Sequence, residues 1–328
     1  MHSPHPQPVF APGNVLAMLL VLAFWVAALL LPVTEQGKPL MLAVGLWPGS
    51  EPWILAREQG ELDSSRVRLV EINWTSAAMR AVGNRVVDAA ILSLDEVILQ
   101  VRQGYPLRVV MVTDISRGAD VVLAKPGIAS VADLRGRRVG YEPRTAGAWL
   151  LGRALAGADF GLGDIHPVVL NPNETQEAFD RLPIDAIVCT EPWPLRLGRL
   201  HPIYDSSQPG AAVVRVLAVH AQALVEHREA LVQLVRMHGR WAQRLRTGDA
   251  DLQPILRREG VSAEGFRATL AKIDMPAPEQ NRLWLRGQDE GLFELFRELR
   301  DGLPAEATAG RIVQPEEVFD ASLLEGLP

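Results

Sequence analysis

Two stretches of the chain place a hydroxyl and carboxylates at the exit of a short apolar strand. The first is Val87-Asp88-Ala89-Ala90-Ile91-Leu92-Ser93-Leu94-Asp95-Glu96; the second is Ile184-Asp185-Ala186-Ile187-Val188-Cys189-Thr190-Glu191-Pro192. Each follows an amphipathic helical segment, Ala78-Met79-Arg80-Ala81-Val82 or Glu177-Ala178-Phe179, and an acidic turn, so laying one over the other sets Ser93 against Thr190. In open α/β sheets, ligands sit outside the carboxyl ends of strands, where hydroxyls and helix N-terminal amides converge. Two such units predict two lobes presenting matching edges to one cleft, which is binding chemistry before it is catalysis.

The other predicted strand exits carry the same residue types: Trp47, Ser50 and Trp53; Trp74, Thr75 and Ser76; Asp114 and Ser116; Glu142, Arg144 and Thr145; Glu191 and Trp193. Indoles supply flat apolar walls, and helix starts supply directed N–H donors. Taken singly, each hydroxyl reads as a helix cap and each loop tryptophan as packing. Their joint occurrence at equivalent strand ends is what favours a site.

Motifs for other chemistry do not appear. The seven histidines have no ligand-spaced histidine or cysteine partners, and there is no Gly-x-Ser-x-Gly elbow, phosphate-binding Gly-Lys loop or dinucleotide fingerprint. Trp47 and Pro48 make the Gly45–Gly49 loop a poor phosphate cradle. The single cysteine, Cys189, lies in an apolar strand, where it reads as a small buried residue and permits no internal disulfide.

The elements that must position these residues alternate along the chain. Strands are predicted at 40–44, 67–72, 87–92, 107–112, 121–124, 138–141, 168–170, 184–189 and 213–219. Helices are predicted at 51–59, from 75, up to 101, near 131–134, up to 156 and at 175–179. This order indicates parallel sheets covered on both faces. The remainder reads as helical, at 230–245, 252–258, 263–273 and 289–299, with Trp241 and Met237 on a core-facing stripe. The segment 312–327 is expected to dock back on the first lobe.

With 328 residues, 48% of them hydrophobic, the chain can bury two domains of ordinary size. A net charge of -6 without basic runs excludes a nucleic-acid or polybasic membrane-surface role and leaves a small molecule as partner. Residues 15–33 form an uncharged apolar run of near membrane-spanning length, unpreceded by Lys or Arg and unclosed by an Ala-x-Ala site. That run is read as the targeting element, either an uncleaved transmembrane anchor or a signal peptide, behind a His/Pro-rich leader.

Trp47-Pro48-Gly49-Ser50-Glu51-Pro52, Val87-Asp88-Ala89-Ala90, Asp114-x-Ser116-x-Gly118-Ala119-Asp120, Asp133-Leu134-Arg135-Gly136-Arg137-Arg138-Val139-Gly140, and Asp185-Ala186 with Thr190-Glu191-Pro192 occur in that order. Together with Arg311-Ile312-Val313 and the Phe319–Leu327 ending, the chain from about residue 40 resembles the periplasmic solute-binding proteins of ABC importers for nitrate, sulfonate and taurine, the SsuA/THI5-like group. The resemblance implies an α/β, type II periplasmic binding protein fold, with lobe one at 38–120 plus 217–328 and lobe two at 121–216, hinged on two crossing strands. It implies a periplasmic, monomeric carrier, held at the inner membrane by residues 15–33 where that run is an uncleaved anchor, working with an ABC permease and its ATPase, and neither an enzyme nor a holder of metal or cofactor.

The contacts carried over by the resemblance are Trp47, Ser50, Trp74, Thr75, Ser76, Ser93, Asp114, Arg144, Thr145, Thr190 and Glu191. Arg215 stands where the family often has Asp. The solute is left as sulfonate-, nitrate- or taurine-like, or thiamine-precursor-like. Arg144 near a helix start favours an anion, whereas Glu51, Asp95, Asp114, Glu142 and Glu191 with the indoles favour an organic solute with an aromatic or cationic part. Two rival readings remain: a thiamine-pyrimidine synthase-like enzyme, which the lone cysteine opposes, and a membrane-tethered solute sensor.

Overall fold

Short runs of Val, Ile, Leu and Ala alternate with helices through the first two thirds of the chain, and the chain sorts them into two mixed sheets. The computed structural model describes residues 21, 37–170, 183–303 and 311–326. The expected helix at 175–179 lies outside them, as does the apolar run 15–33 apart from Val21. Among the described residues no helix is long and apolar enough to cross a membrane.

The first sheet begins with β1 (Leu40–Val44), β2 (Val67–Glu71), β3 (Ala89–Ser93) and β4 (Leu107–Ser116), connected by α1 (Glu51–Glu58), α2 (Thr75–Gly83) and α3 (Leu94–Arg102). The chain then crosses to a second sheet: β5 (Asp120–Ala124), β6 (Arg138–Tyr141), α4 (Ala146–Ala156), β7 (His166–Val169), β8 (Ala186–Thr190), α5 (Trp193–Arg196) and β9 (His201–Asp205). It returns as β10 (Val213–His220), followed by α6 (Ala221–Glu226), α7 (Arg228–Thr247), α8 (Gln253–Glu259), α9 (Ala263–Leu270), β11 (Ile273–Asp274), α10 (Pro278–Leu285), α11 (Gly291–Gly302) and α12 (Pro315–Val318).

The two sheets share one wiring. Their orders are β11-β4-β10-β3-β1-β2 and β7-β6-β8-β5-β9. In each, a strand pairs in parallel with its two successors, and an antiparallel strand is inserted between the third strand and the fourth. The inserted strand is β10 in the first sheet and β5 in the second. The third strands are β3 and β8, whose last residues are Ser93 and Thr190, so the equivalence read from the sequence is a topological one.

Several boundaries differ from expectation for identifiable reasons. The strand expected to stop at 112 continues as β4 through Thr113, Asp114, Ile115 and Ser116, all buried, because β10 pairs along it from Val213 to His220 with two register shifts. Such shifts let a strand bend without losing its neighbour. Ser116 Oγ lies 2.8 Å from Ser206 Oγ, so its polar side chain is satisfied inside the sheet. β9, β11, α6 and α10 were not expected; Pro202, His201 and Tyr204 hid β9 behind turn-like composition. The 263–273 helix ends at Leu270 and its tail becomes β11 on the outer edge of β4.

The first sheet has the larger core, with Trp53, Trp241, Phe266 and Phe296 at most 1% exposed. α7 turns Leu231, Leu234, Val235, Met237, His238 and Trp241 inward, and Trp53 Nε1 donates to Leu234 O at 2.9 Å, locking α1 onto α7. The C-terminal segment docks as expected: Val313, Val318, Phe319, Leu323 and Leu324 are buried in this core, and Phe319 bridges to Val109. Smaller clusters, around Leu151 and Leu155 on one face and Leu170 and Ile184 on the other, sandwich the second sheet.

Asn281 of α10 shows how β4 copes with its shifted register. Its Oδ1 accepts from Val112 N at 2.6 Å and its Nδ2 donates to Val112 O at 3.1 Å, supplying both ladder bonds at a buried position. Replacing it with an apolar residue strands two backbone groups, each at a cost of ~1–3 kcal/mol. Asn281→Leu is therefore expected to lower unfolding stability by roughly 2–4 kcal/mol in urea titration, with a native far-ultraviolet spectrum in buffer.

Candidate functional site

The carboxyl ends of β1, β3, β6 and β8 face one cavity of about 140 Å³, lined from both sheets. One wall is Gly45, Leu46, Trp47, Ser50, Ile72, Asn73, Thr75, Leu92, Ser93 and Glu96; the other is Glu142, Thr145, Ala146, Gly147, Ile187 through Thr190 and Trp193. Arg215 of β10 closes the floor. Indole, isoleucine and valine surfaces make most of the lining, with polar groups at fixed points, the usual make-up of a small-molecule site.

The floor is a charge cluster that fixes Trp47. Arg215 donates to both oxygens of Asp120, at 3.0 and 2.6 Å, and its Nη1 lies 3.9 Å from Asp114 Oδ1. The guanidinium carbon stands 3.6 Å from the Trp47 ring centroid, and the indole N–H donates to Asp114 Oδ2 at 3.1 Å. Thr113 Oγ1 donates to the same oxygen at 2.9 Å. A Cβ on Gly49 would fall 2.0 Å from Asp114 Oδ2, so only glycine lets the Trp47 loop approach this carboxylate. Burial drives the Asp114 pKa up to about 6 against the pull of Arg215, Trp47 and Thr113.

Two carboxylates cross the cavity in opposite directions. Glu96, at the start of α3, accepts from Ser93 N through Oε2 and from Ala146 N, at the start of α4 beside the other sheet, through Oε1, both at 2.8 Å. Glu142, at the exit of β6, accepts from Ser76 N at the start of α2, at 2.9 Å. Negative charge at a helix start answers both the unpaired N–H groups and the helix dipole. Burial first, and the neighbouring Asp95 second, push Glu96 up to about 8; burial also raises Asp95.

These carboxylates change what the hydroxyls do. Ser50, Thr145 and Thr75 were candidates for capping, yet none of these hydroxyls caps α1, α2 or α4, and Trp74 rather than a hydroxyl residue is the N-cap of α2. Thr145 Oγ1 turns back to Glu142 O at 2.8 Å. Ser50 Oγ and Asn73 Oδ1 are buried at the cavity wall without a hydrogen-bond partner. Unpaired buried polar atoms are costly, and both of these stand beside the cavity.

Of the residues expected at the site, Trp47, Ser50, Thr75, Ser93, Thr145 and Thr190 line the cavity together. Asp114 lies beneath it, holding Trp47. Ser76 contributes its backbone N–H to Glu142. Trp74 and the exposed Arg144 are outside the lining, and Glu191 is buried behind it, paired with Lys272 Nζ at 2.9 Å. Glu51 pairs with Arg258 on the far side of α1. Asn73, Glu96 and Arg215 were not on the list of contacts. Glu96 could have been found as the third helical residue after Ser93, a capping-box spacing. Cys189 is on the cavity wall and only half buried, with its thiol raised by burial and so protonated at neutral pH.

Residues 34–254 match the profile of the NMT1-like family. Over 167 residues the chain is 27% identical to a putative aliphatic sulfonates-binding protein of Escherichia coli K12, a match spanning 49% of this chain and 52% of that one. The chain thus spans about half the length of this curated relative. Among solved structures, the alkanesulfonate-binding protein SsuA of Xanthomonas axonopodis pv. citri, bound to MOPS, superposes with a TM-score of 0.68 at 17% identity, over 88% of this chain and 98% of that one. The desulfurization enzyme DSZB superposes at 0.59 and 15% identity, covering 87% and 97%. At these identities the likeness is one of fold: the two-sheet architecture is that of the SsuA periplasmic binding proteins.

The buried acids give stability a pH dependence. Glu96 is raised from 4.5 to about 8 and Asp114 from 3.8 to about 6, so across those windows the folded chain holds protons the unfolded chain has lost. Stability therefore falls as pH rises through them. In ligand-free protein the melting temperature is expected to decline from pH 6 to pH 8, and Glu96→Gln to flatten that decline, as followed by calorimetry.

Proposed function

The chain belongs to the NMT1-like family, and we propose that it is an extracytoplasmic substrate-binding protein that captures a small organic solute between two lobes and delivers it to an ABC importer. The observation that carries this reading is the cavity itself: it is walled from both sheets, ringed by strand ends and helix starts, and provided with buried polar atoms that await a partner. The curated relative named a sulfonates-binding protein and the SsuA structures support the carrier role.

Closure has a structural basis in the two crossings. The chain passes between sheets at 117–119 and again at 206–212, and Ser206 ties the crossings together. Its Oγ meets Ser116 Oγ at 2.8 Å and accepts from Gly118 N at 2.7 Å. Two adjacent short links of this kind make a hinge: the first lobe is built on β1–β4, β10 and the C-terminal helices, and the second on β5–β9. A solute bound by both walls favours the closed form by its differential affinity, and a permease can read that form. The proposed contacts are Trp47, Ser50, Thr75, Ser93, Thr145 and Thr190, with Asp114 as the support of Trp47.

The fold likeness to DSZB keeps an enzymatic reading in view. Against it, no histidine is in the cavity lining and the Cys189 thiol is held protonated by burial, so the wall presents neither an activated nucleophile nor an imidazole base. The features present serve to grip and orient.

The test is direct. Native mass spectrometry of protein purified from a bacterial host, followed by denaturation and small-molecule analysis, is expected to show a bound solute at one per chain. Ser50→Ala and Thr190→Val are each expected to weaken that solute about tenfold, near 1.4 kcal/mol, with an unchanged melting temperature in its absence. A solute recovered chemically altered by the wild type overturns the carrier reading.

A further inference from the structure

The site's charge arrangement bears on which solute it takes, and the inference rests on the carrier reading above. Anions are held in α/β folds by helix starts and by free guanidinium or ammonium groups. Among the described residues of this cavity, two facing helix starts and the lining guanidinium are already engaged. The starts of α2 and α4, which face each other across the cavity, are filled by Glu142 and Glu96, and the N–H of Ser93 is filled by Glu96 as well. Arg215, the one cationic residue in the lining among the described residues, is bidentate to Asp120, faces Asp114 at 3.9 Å and has its flat side covered by Trp47. Arg144 is exposed and outside the lining.

Most of the remaining side-chain polar atoms of the lining can act as acceptors. Asn73 Oδ1 and Ser50 Oγ are buried and unpartnered. Each oxygen of Glu96 takes a single backbone N–H in the hydrogen bonds above and keeps further lone-pair capacity, as does Glu142 Oε1. An incoming sulfonate would have to displace Glu96, which is 2% exposed, from the N–H groups of Ser93 and Ala146 and leave that buried carboxyl group without them. A donor-bearing cation disturbs none of these bonds and adds charge-assisted ones.

We propose that the solute is a small organic cation, an ammonium or amidinium, whose N–H groups face Glu96, Glu142 and Asn73 while its hydrocarbon lies against Trp47 and Trp193. The indole faces favour the same sign of charge. The cavity's volume, about 140 Å³, is close to that of an engineered cavity that accepts benzene, roughly 150 Å³. A single ring or a short chain therefore fits. Because a neighbouring cation favours the ionised carboxylate, binding also releases the proton that Glu96 carries near neutral pH.

Matched probes decide the matter on the full chain. Benzamidinium and butylammonium are compared with benzenesulfonate, ethanesulfonate and nitrate by thermal shift and titration calorimetry at pH 7. The cations are expected to raise the melting temperature by several degrees, the anions to leave it unchanged, and calorimetry in buffers of different ionisation heat to show proton release on cation binding. Glu142→Gln, at a part-exposed position that tolerates substitution, is expected to weaken the cations at least fivefold. A shift by the sulfonates or nitrate with none by the cations overturns the cation assignment and leaves the carrier reading standing. Silence from every probe overturns the assignment and weighs against the carrier reading too.

Discussion

The Arg215 guanidinium, clamped between Asp120 and the face of Trp47, is the interaction on which the rest of the site depends. Arg215 belongs to the first sheet and Asp120 to the second, so this bidentate pair ties the sheets together beside the two crossings. Burial opposes the charge on Arg215, and Asp120 with Asp114 more than restores it. Removing either partner would leave a buried ion, which costs far more than the pair itself contributes. Trp47 takes its place from the same cluster: its N–H is held by Asp114, its face by the guanidinium, and its loop by the absent Cβ of Gly49. The apolar wall of the cavity is thus positioned by electrostatics.

Around that fixed floor, the opposed carboxylates of Glu96 and Glu142 divide the labour of the polar groups. The starts of α2 and α4 receive carboxyl oxygens from across the cavity, so neither depends on a capping hydroxyl. Each carboxylate is anchored near one sheet and hydrogen-bonded to a helix of the other, so these bonds exist only while the two walls are together. The same contacts therefore shape the cavity and hold its two walls together.

Much of the architecture was legible because hydrophobic period and turn chemistry act locally. β1, β3, β6, β10, α1 and α7 follow from runs such as Leu40–Val44 and the stripe of α7, and the repeat ending in Ser93 and Thr190 disclosed the shared wiring. What the sequence hid is non-local. β4 absorbs Thr113 to Ser116 because β10 and Ser206 meet them from far along the chain, and β11 forms only on an edge that β4 provides. At the site, residue type located Trp47, Ser50, Thr75, Ser93, Thr145 and Thr190. It could not tell that Arg144 turns to solvent, that Glu191 is occupied by Lys272, or that Glu96 reaches to Ala146, because each outcome depends on which partner tertiary packing brings near.

The inserted strand that distinguishes the two sheets has a bearing on how the molecule is made. The strands β5 to β9 form one unbroken stretch, so the ribosome delivers the second sheet complete by Asp205. The first sheet has four strands by Ser116 but no bond between β3 and β4 until β10 arrives to pair with both. The half of the protein synthesised first is consequently the half that must wait, with two raw strand edges open while the later half matures. Nascent chains halted before Val213 should for that reason be the ones most in need of chaperone shelter.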